Sequence, residues 1–317
     1  MTVADYLDDV IGQDTAKKFI RTAIKKNNLY NFLFIGPRGV GKRMLGFALA
    51  RTLGCSTDSP NFQLIAPVPS KLKDKSDKIY EYSKNYLPEN IVVDVEDRAS
   101  ILIEQIRGLA ERLMHMPSQG TKRVVLILEA DQMTDEAANC FLRTLEEPPI
   151  DTIFILTSSR PEFVLPTIRS RCRVVPFTHL GRAQIEKIVY DGKDEFLLGS
   201  PGEILDLRDS GMVENVMDVF KKTPLQSKSA AAVAKGYERK NVVELYYPLL
   251  LLYRLVLYRK LNLASDTRYE FEITKKAKRI TLERVIDTIM LLNENIVLLE
   301  RNPNKLLHLF YVLLKLP

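Results

Sequence analysis

The chain has 317 residues, more than one ordinary hydrophobic core accommodates, so we expect two or three domains. Hydrophobic residues make up 46% and charged residues 27%, the balance of a soluble globular protein, and the net charge of +6 permits nucleic acid nearby without requiring it. The longest apolar run, 245–258, contains Pro248 and Arg254 and is shorter than the roughly 20 apolar residues that span a bilayer. No secretory signal pattern opens the sequence, so we expect a cytoplasmic protein without a membrane partner.

The cysteine and aromatic content argues against two kinds of site. Cys55, Cys140 and Cys172 form no C-x-x-C pair, so the spacing signals neither a zinc site nor a disulfide framework. The chain has no tryptophan and no cluster that mixes basic and aromatic residues. We therefore expect no dedicated platform on which single-stranded bases would stack.

The N-terminal part begins with the pattern of an α/β fold. Apolar residues at helical spacing predict an amphipathic helix over 14–28, and a short apolar strand follows at 32–35. Residues 36–41 form a glycine-rich turn, after which 43–53 returns to helical character. The stretch 56–90 is polar and rich in Pro, Ser, Asp and Lys, so we expect mostly loop or insertion there.

The middle of the chain alternates strands with helices. The run 124–128 is apolar throughout, which is typical of a strand buried on both faces. The predicted strands here are 91–95, 124–128, 153–156 and 174–177. The predicted helices are 99–114, which ends at a Pro–Gly break, and 136–145, which ends before two prolines. This alternation predicts a mostly parallel sheet with helices on both faces.

The remainder of the chain predicts helices only. Residues 179–222 suggest short helices, 221–228 has the composition of a linker, and the chain is helical from about residue 230. One helix face in 282–299 is an apolar stripe. Its members are Leu282, Val285, Ile286, Ile289, Leu292, Ile296 and Leu299. We expect this stripe to lie in a core or in a subunit interface.

The glycine-rich turn resembles a phosphate-binding loop with one defect. The sequence from Gly36 to Arg43 matches G-x-x-x-x-G-K between a predicted strand and helix. Gly36, Gly39 and Gly41 would let backbone N–H groups converge on phosphate oxygens, and Lys42 would reach the β- and γ-phosphates. The next residue is normally a Ser or Thr that ligates Mg²⁺, but Arg43 stands there. We predict a P-loop fold with weak or absent ATP binding; the alternative role for Lys42 is a solvated side chain.

The strand 124–128 carries a second defect. In ATP-hydrolysing P-loop proteins this strand ends in Asp-Glu, where the Asp holds the magnesium shell and the Glu polarises water. Here Leu128 stands at the Asp position and Glu129 at the second. A shifted alignment would use Asp131, which lies past the predicted strand end. Because Arg43 and Leu128 both replace metal ligands, we predict no metal site, and Glu129 is either a degenerate catalytic position or a relic at a strand end.

Longer segments carry a more specific pattern. Residues 137–149 read Ala-Ala-Asn-Cys-Phe-Leu-Arg-Thr-Leu-Glu-Glu-Pro-Pro, and 165–172 read Leu-Pro-Thr-Ile-Arg-Ser-Arg-Cys. Both resemble blocks of the bacterial DNA polymerase III clamp-loader subunits, which are AAA+ proteins. Residues 10–13, Val-Ile-Gly-Gln, are similar to their segment at the adenine pocket. The segment 199–202, Gly-Ser-Pro-Gly, resembles the start of their lid helix, and 302–304 with the following Leu-rich helix resembles their collar domain.

The resemblance implies an architecture of three parts. These are an α/β AAA+ (RecA-like, P-loop) module with a parallel sheet at 1–178, a small helical lid at 179–222 and an all-α collar or oligomerisation domain at 223–317. The collar would pack with the equivalent domains of gamma/tau and delta subunits. The resulting complex would load the ring-shaped sliding clamp (beta) onto primed DNA. Primed DNA would therefore be an indirect partner of this chain.

The resemblance also implies what this chain has lost. Val10 and Ile11 would be a vestigial adenine pocket. The family's zinc module uses four cysteines after the P-loop helix, and only Cys55 remains here, so that module is expected to be absent. Where the ATP-hydrolysing subunits place an Arg in the lid, this chain has Glu203. No cofactor is expected.

One element of the family's chemistry is preserved. Ser170, Arg171 and Cys172 match the Ser-Arg-Cys motif, whose Arg acts as an arginine finger in the ATP site of a neighbouring subunit. The resemblance therefore implies a stator that supplies Arg171 in trans and has no ATPase activity of its own, inside a DNA polymerase holoenzyme. The alternative for Arg171 is a surface arginine in an ion pair. The alternatives for the chain are an ATP-hydrolysing gamma/tau-like subunit and a P-loop adaptor in another DNA transaction.

Overall fold

The chain folds into two units in the computed structural model. The described residues are 5–26, 29, 31–69, 72, 76–90, 99–114, 122–188, 200–202, 205, 212–237, 243–263, 269–299 and 304–317. The first unit comprises 1–188 with 198–203, and the second comprises 189–197 with 204–317. The predicted division into three parts stays a prediction.

A parallel sheet organises the first unit. The strands of this unit are β1 (Phe32–Ile35), β2 (Phe62–Ile65), β3 (Val68–Pro69), β4 (Ala99–Ser100), β5 (Arg123–Ile127), β6 (Thr152–Ser158) and β7 (Arg173–Pro176). Five of them form one sheet in the order β2-β5-β6-β1-β7, and every neighbouring pair is parallel. The predicted parallel sheet is therefore confirmed. β3 and β4 pair separately and antiparallel.

Helices bury the sheet on both faces, as parallel strands require. The helices of this unit are α1 (Asp14–Lys25), α2 (Lys42–Thr52), α3 (Ser76–Ser83), α4 (Ile103–Leu113), α5 (Asp135–Glu146), α6 (Pro166–Ser170) and α7 (Arg182–Ile188). One core cluster joins α1 and α2 to the sheet and includes Ile20 and Leu49. The other joins α4 and α5 and includes Ile106 and Phe141. All five residues of β5 are buried, which confirms the strand predicted at 124–128.

The stretch 56–90 contains more regular structure than predicted, and the expectation of mostly loop was wrong. β2 forms the edge of the sheet, where Phe62 pairs with Val124 of β5. Only the two outer residues of β2, Phe62 and Ile65, are buried, and Pro60 and Pro67 flank the strand. Four residues with this burial pattern show no periodicity, so the strand depends on its pairing with β5.

The start of one predicted helix differs from the structure, and one predicted strand lies outside the described residues. The helix predicted at 99–114 begins at Ile103, because 99–100 belongs to β4. Gln105 marks that start: its Oε1 accepts from the Leu102 N–H at 2.9 Å, which satisfies a donor that the first helical turn leaves unpaired. The strand predicted at 91–95 lies outside the described residues.

Every regular element of the second unit among its described residues is a helix, which confirms the predicted helical C-terminal region. Its helices are α8 (Met212–Lys222), α9 (Ser227–Tyr237), α10 (Val243–Lys260), α11 (Glu270–Arg279), α12 (Leu282–Leu299) and α13 (Lys305–Lys315). Within the described part of the chain, no helix has the length and apolarity to cross a membrane. The predicted stripe on α12 is divided: Val285 and Leu292 are fully buried, whereas Ile286 is 43% exposed.

Candidate functional site

The glycine-rich turn connects the carboxyl end of β1 to the start of α2. Gly36 has a φ of 149°, and a Cβ there would overlap the carbonyl oxygen of Phe177, so a larger residue does not fit. Gly39 and Gly41 have φ values of 70° and 98°, which glycine adopts without steric cost. The Gly36 N–H donates to Ser158 O at 3.3 Å, which ties the turn to the end of β6. We call the segment 36–41 the glycine loop.

The ammonium group of Lys42 is bound by oxygen atoms of its own chain. Its Nζ donates to Gly36 O at 2.7 Å, Pro37 O at 2.6 Å and Ser159 Oγ at 3.0 Å. The residue is 5% exposed, so the alternative that Lys42 is solvated is wrong. An ammonium group has three N–H donors, and these three contacts can use all of them. A phosphate at this position would have to displace at least one of these oxygens.

Ser159 connects Lys42 to the carboxylate of Glu129. The Ser159 hydroxyl accepts from Lys42 and donates to Glu129 Oε2 at 3.0 Å. Glu129 lies two residues after the end of β5 and has a φ of 46°, and its backbone N–H donates to Thr157 Oγ1 at 3.0 Å. One hydroxyl group therefore separates a positive from a negative side chain, and the two charges offset each other within the chain.

Asp131, the acidic residue of the shifted alignment, has its own partners. Its side chain is 1% exposed. Oδ1 accepts from Ser158 Oγ at 2.7 Å and from the Ser159 N–H at 3.3 Å, and Oδ2 accepts from Arg160 Nε at 3.2 Å. A buried carboxylate with several donors stabilises the structure around it. Asp131 therefore anchors the residues that follow β6, among them the Ser159 that binds Lys42.

The residues at the metal positions do not fit Mg²⁺. This ion takes oxygen ligands in octahedral geometry, but Leu128 is an apolar core residue, 2% exposed. Arg43 brings a positive charge, and its Nη2 donates to Asn90 O at 2.7 Å. Across the described ranges, no three His, Cys, Asp or Glu side chains are grouped as a metal site needs. Leu128 and Arg43 therefore supply no oxygen ligand at the two positions where the sequence comparison expects one.

Two residues far along the chain contact the glycine loop from outside. The fully buried Ser200 donates from its Oγ to Arg38 O at 2.5 Å. The Gly202 N–H donates to Gly39 O at 2.9 Å. A Cβ at Gly202 would lie 2.7 Å from Gly39 Cα, so the close approach requires glycine. The segment that resembles a lid helix start thus binds two carbonyl groups of the loop.

The residues implied for an adenine pocket lie near the end of the loop. Val10 is 9% exposed, and a Cβ at Gly41 would lie 3.8 Å from Val10 Cγ1. Ile11 is half-buried. Glu203, at the lid position of the implied Arg, lies outside the described residues. The adenine-pocket role of Val10 and Ile11 stays a prediction.

Gln13 joins the N-terminal segment to both the loop and the end of the sheet. Its Nε2 donates to Val40 O at 3.2 Å and to Thr178 O at 2.7 Å, and its Oε1 accepts from the Thr178 N–H at 3.2 Å. The neighbouring Gly12 has a φ of 77°, and a Cβ there would lie 2.5 Å from Leu180 Cδ2. The Gly-Gln pair of the family motif therefore has a packing role in this chain.

Arg171 lies near the amino-terminal ends of the sheet strands, whereas the glycine loop lies at their carboxyl ends. It follows α6 and precedes β7, whose first residue, Arg173, pairs with Phe32 at the start of β1. The glycine loop follows the other end of β1. Because β1 and β7 run parallel, the four residues of β1 separate the glycine loop from the level of Arg173, which is about 13 Å along the strand. Arg171 and the glycine loop thus lie at opposite ends of neighbouring parallel strands.

The guanidinium of Arg171 is held at the surface. Its Nη2 contacts Glu146 Oε1 at 2.6 Å, its Nη1 donates to Thr167 O at 3.0 Å, and the side chain is 37% exposed. The ion pair considered from the sequence is therefore present in the chain by itself. The flanking residues stay within the chain: Ser170 Oγ donates to Thr167 O at 3.0 Å. Burial raises the pKa of Cys172 to about 12, so its thiol is protonated at neutral pH.

Cys55, the remainder of the implied zinc module, behaves as a core residue. It is 2% exposed, and its thiol contacts Lys122 O at 2.9 Å. Burial raises its pKa, which disfavours the thiolate that a metal needs. Cys140 and Cys172 pack against the core cluster of α4 and α5.

The sequence did not predict three residues that contact Lys42, Arg171 and the glycine loop. These are Ser159, Glu146 and Ser200. Ser159 had a usable signal, because polar residues at the carboxyl ends of parallel strands are where such folds bind ligands. Glu146 lies in the recognised block 137–149, but nothing in the block indicates a contact with Arg171. Ser200 likewise has no local signal for its bond to the glycine loop.

Comparisons with known proteins identify the family. A family model described as DNA polymerase III, delta subunit, matches residues 12–181, more than half of the chain. The Bacillus subtilis DNA polymerase III subunit delta' is 31% identical over 175 residues, which cover 55% of this chain and 50% of the relative. The Mycobacterium bovis DNA polymerase III subunit gamma/tau is 31% identical over 170 residues, 53% of this chain and 28% of the relative. The chain thus spans half or less of the length of these relatives.

A solved structure of a gamma subunit-related DNA polymerase III protein from Thermotoga maritima aligns with 94% of this chain and 97% of its own, at 20% identity and a TM-score of 0.46. The gamma/tau and delta' relatives are equally similar to the chain, at 31% identity each. Overall similarity therefore does not separate the two kinds of subunit. Since the family model matches more than half of this chain, the chain belongs to the clamp-loader family of DNA polymerase III subunits.

Proposed function

We propose that this chain is the delta-prime subunit of a DNA polymerase III clamp loader. In this role it is a stator: it supplies Arg171 as an arginine finger to the ATP site of a neighbouring gamma/tau subunit. It thereby helps to load the sliding clamp onto primed DNA. Its own glycine loop takes no part in hydrolysis and needs no cofactor.

The bonding of the glycine loop supports this role. The Lys42 ammonium is bound to three oxygens of the chain, and Ser200 and Gly202 hold two loop carbonyls from outside. Leu128 and Arg43 stand where metal ligands would be needed. ATP binding would have to break the internal contacts without the charge stabilisation that Mg²⁺ provides.

The position of Arg171 carries the proposal. It lies near the amino-terminal ends of the strands, away from the glycine loop at their carboxyl ends, and its side chain is exposed. Its guanidinium contacts Glu146 and Thr167. A guanidinium has five N–H donors, so three are left for an acceptor on another molecule. An arginine so placed serves a nucleotide held by a neighbour.

The chemistry of that service is electrostatic. During ATP hydrolysis a water oxygen bonds to the γ-phosphorus while the bond to the β–γ bridging oxygen breaks, and ADP and phosphate are released. Negative charge spreads over the γ-phosphate and leaving oxygens as this happens. A planar guanidinium donates several hydrogen bonds to such oxygens and keeps its charge at all physiological pH values.

The second unit supports assembly with gamma/tau and delta subunits. It consists of helices in its described residues, and several apolar side chains on α12 and α13 are exposed. These include Met290, 54% exposed, Leu307, 64% exposed, and Tyr311, 53% exposed. Burial of such side chains between subunits would supply the apolar area of a permanent complex. The clamp and the primed DNA would be partners of the whole complex.

An ATP-hydrolysing gamma/tau-like role is the second candidate, because gamma/tau relatives are as similar to this chain as delta' relatives. Titration of the isolated chain with a fluorescent ATP analogue and Mg²⁺, followed by phosphate release, separates the two. We expect neither saturable binding in the micromolar range nor turnover. Robust turnover by the purified chain would replace the stator role by the hydrolytic one.

The direct test is Arg171→Ala in the complex reconstituted with gamma/tau and delta. We expect assembly to be unchanged on size-exclusion chromatography, while ATP turnover at the site that Arg171 serves falls by roughly 10³-fold. Arg169→Ala is the matched control, because Arg169 is an exposed arginine two residues away whose Nη1 donates to Pro161 O at 3.5 Å. Unchanged clamp-loading rates with Arg171→Ala would exclude the finger, and failure to assemble with gamma/tau and delta would favour an adaptor in another pathway.

A further inference from the structure

Glu146, the last residue of α5, forms an ion pair with Arg171, the residue after α6. The finger role does not explain this ion pair. Arg171 Nη2 lies 2.6 Å from Glu146 Oε1, and Nη1 donates to Thr167 O at 3.0 Å. These two contacts hold the same end of the guanidinium, one on each terminal nitrogen. Among the described residues, no other acceptor contacts Arg171.

The backbone on both sides of this ion pair is anchored in one core. Leu145, next to Glu146, is 3% exposed, and Ile168, three residues before Arg171, is 1% exposed. Both belong to the core cluster that also contains Phe141. Because close-packed cores yield little, the Cα positions of Glu146 and Arg171 are held relative to each other. The ion pair therefore orients the guanidinium relative to the sheet.

We propose that Glu146 is a positioning residue for Arg171. It accepts from one terminal nitrogen and orients the guanidinium before a neighbouring subunit docks. Three N–H donors, on Nε, Nη1 and Nη2, remain for the oxygens of the neighbour's ATP. A long arginine side chain loses rotamer freedom when it binds, and prior orientation by Glu146 reduces the freedom that is still to be lost at that moment.

The exposure of the pair sets the size of the effect. The side chains are 37% and 49% exposed, so solvent screens their attraction. Exposed ion pairs of this kind change an equilibrium by up to about fivefold. The pair is thus strong enough to favour one orientation of Arg171, and its removal should change the rate by no more than this factor.

The test rests on the proposed function and uses the reconstituted complex with gamma/tau, delta, clamp and primed DNA. For Glu146→Ala we expect kcat of ATP hydrolysis to fall about three- to fivefold with KM for ATP unchanged, because the oriented guanidinium acts on the transition state. Glu146→Gln keeps an oxygen acceptor for Nη2, so it should restore kcat to within about twofold of wild type. Glu147→Ala is the matched control, since Glu147 is the adjacent exposed carboxylate, and it should leave kcat unchanged.

A double-mutant cycle separates positioning from a purely structural role. In the Arg171→Ala background, Glu146→Ala should cause no further loss of kcat, because its only route to the ATP is through Arg171. An additive loss, or a wild-type or raised kcat for the single Glu146→Ala variant, would overturn the positioning role. If Arg171→Ala itself has no effect, the proposed function fails and the inference with it; if only Glu146→Ala is silent, the inference alone fails. Matching melting temperatures of the isolated variants exclude misfolding as the cause of a loss.

Discussion

Replacing Lys42 by methionine should destabilise this protein, whereas the same change in an ATP-binding P-loop mainly removes a phosphate contact. The reason is the bonding of the ammonium, which donates to Gly36 O, Pro37 O and Ser159 Oγ. Methionine keeps much of the aliphatic volume but has no donor. Three oxygen atoms then lose a charged hydrogen-bond partner.

The size of the loss follows from the burial of the group. A hydrogen bond from a charged donor contributes about 1.5–3 kcal/mol to stability. The full sum does not apply, because Gly36 and Pro37 are half-buried and their carbonyls can regain water. We expect the free energy of unfolding to fall by about 2–4 kcal/mol. For a unit of this size, each kcal/mol lowers the melting temperature by about 2–4 °C.

Urea denaturation and thermal melting, each with and without Mg²⁺–ATP, measure this prediction. A ligand at 100 times its Kd stabilises the folded state by about 2.7 kcal/mol, and we expect no such gain for the wild-type chain. Lys18→Met is the control, because Lys18 is an exposed lysine on α1, and it should change the unfolding free energy by less than about 0.5 kcal/mol. The reasoning is refuted if ATP raises the wild-type melting temperature by several degrees and Lys42→Met abolishes that rise while leaving the nucleotide-free melt unchanged.

Two further predictions concern stability. Burial lowers the pKa of Lys276 to about 8, so between pH 8 and about 10 the unfolded chain binds more protons than the folded one. The unfolding free energy of wild type should therefore rise with pH by about 2–3 kcal/mol relative to Lys276→Met. Parallel pH profiles of the two proteins in chemical denaturation would contradict this prediction. Gln13→Leu leaves the backbone groups of Val40 and Thr178 without their partner and should cost about 2–4 kcal/mol; a loss below 1 kcal/mol in urea denaturation would show that Gln13 does not clamp them.

Strands that are buried on both faces could be predicted from local sequence. The five buried residues of β5 are all but one apolar, and the run 153–156 of β6 is apolar throughout. Continuous apolar runs of this length are required wherever helices cover both faces of a sheet. The glycine loop was equally predictable, because Gly36 occupies a conformation and a space that no other residue fits.

The edge strand β2 was not predictable in the same way. Only its first and last residues are buried, so no alternating pattern marks the strand, and a polar stretch with prolines surrounds it. Its regularity comes from hydrogen bonds to β5, which lies about 60 residues further along the chain. The sequence motif likewise implied a role for Arg171 but not its contact with Glu146, which lies 25 residues away.

By itself, the sequence determined the parallel sheet and the resemblance to the family, because both depend on residue types at fixed spacing. It also predicted that Arg43 and Leu128 supply no metal ligand. Only the tertiary structure decided which atoms the Lys42 ammonium contacts. Lys42 and Ser159 are 117 residues apart in sequence and 3.0 Å apart in space. Contacts of this kind arise from the spatial order of the strands, which places β1 beside β6. No local sequence pattern specifies that order.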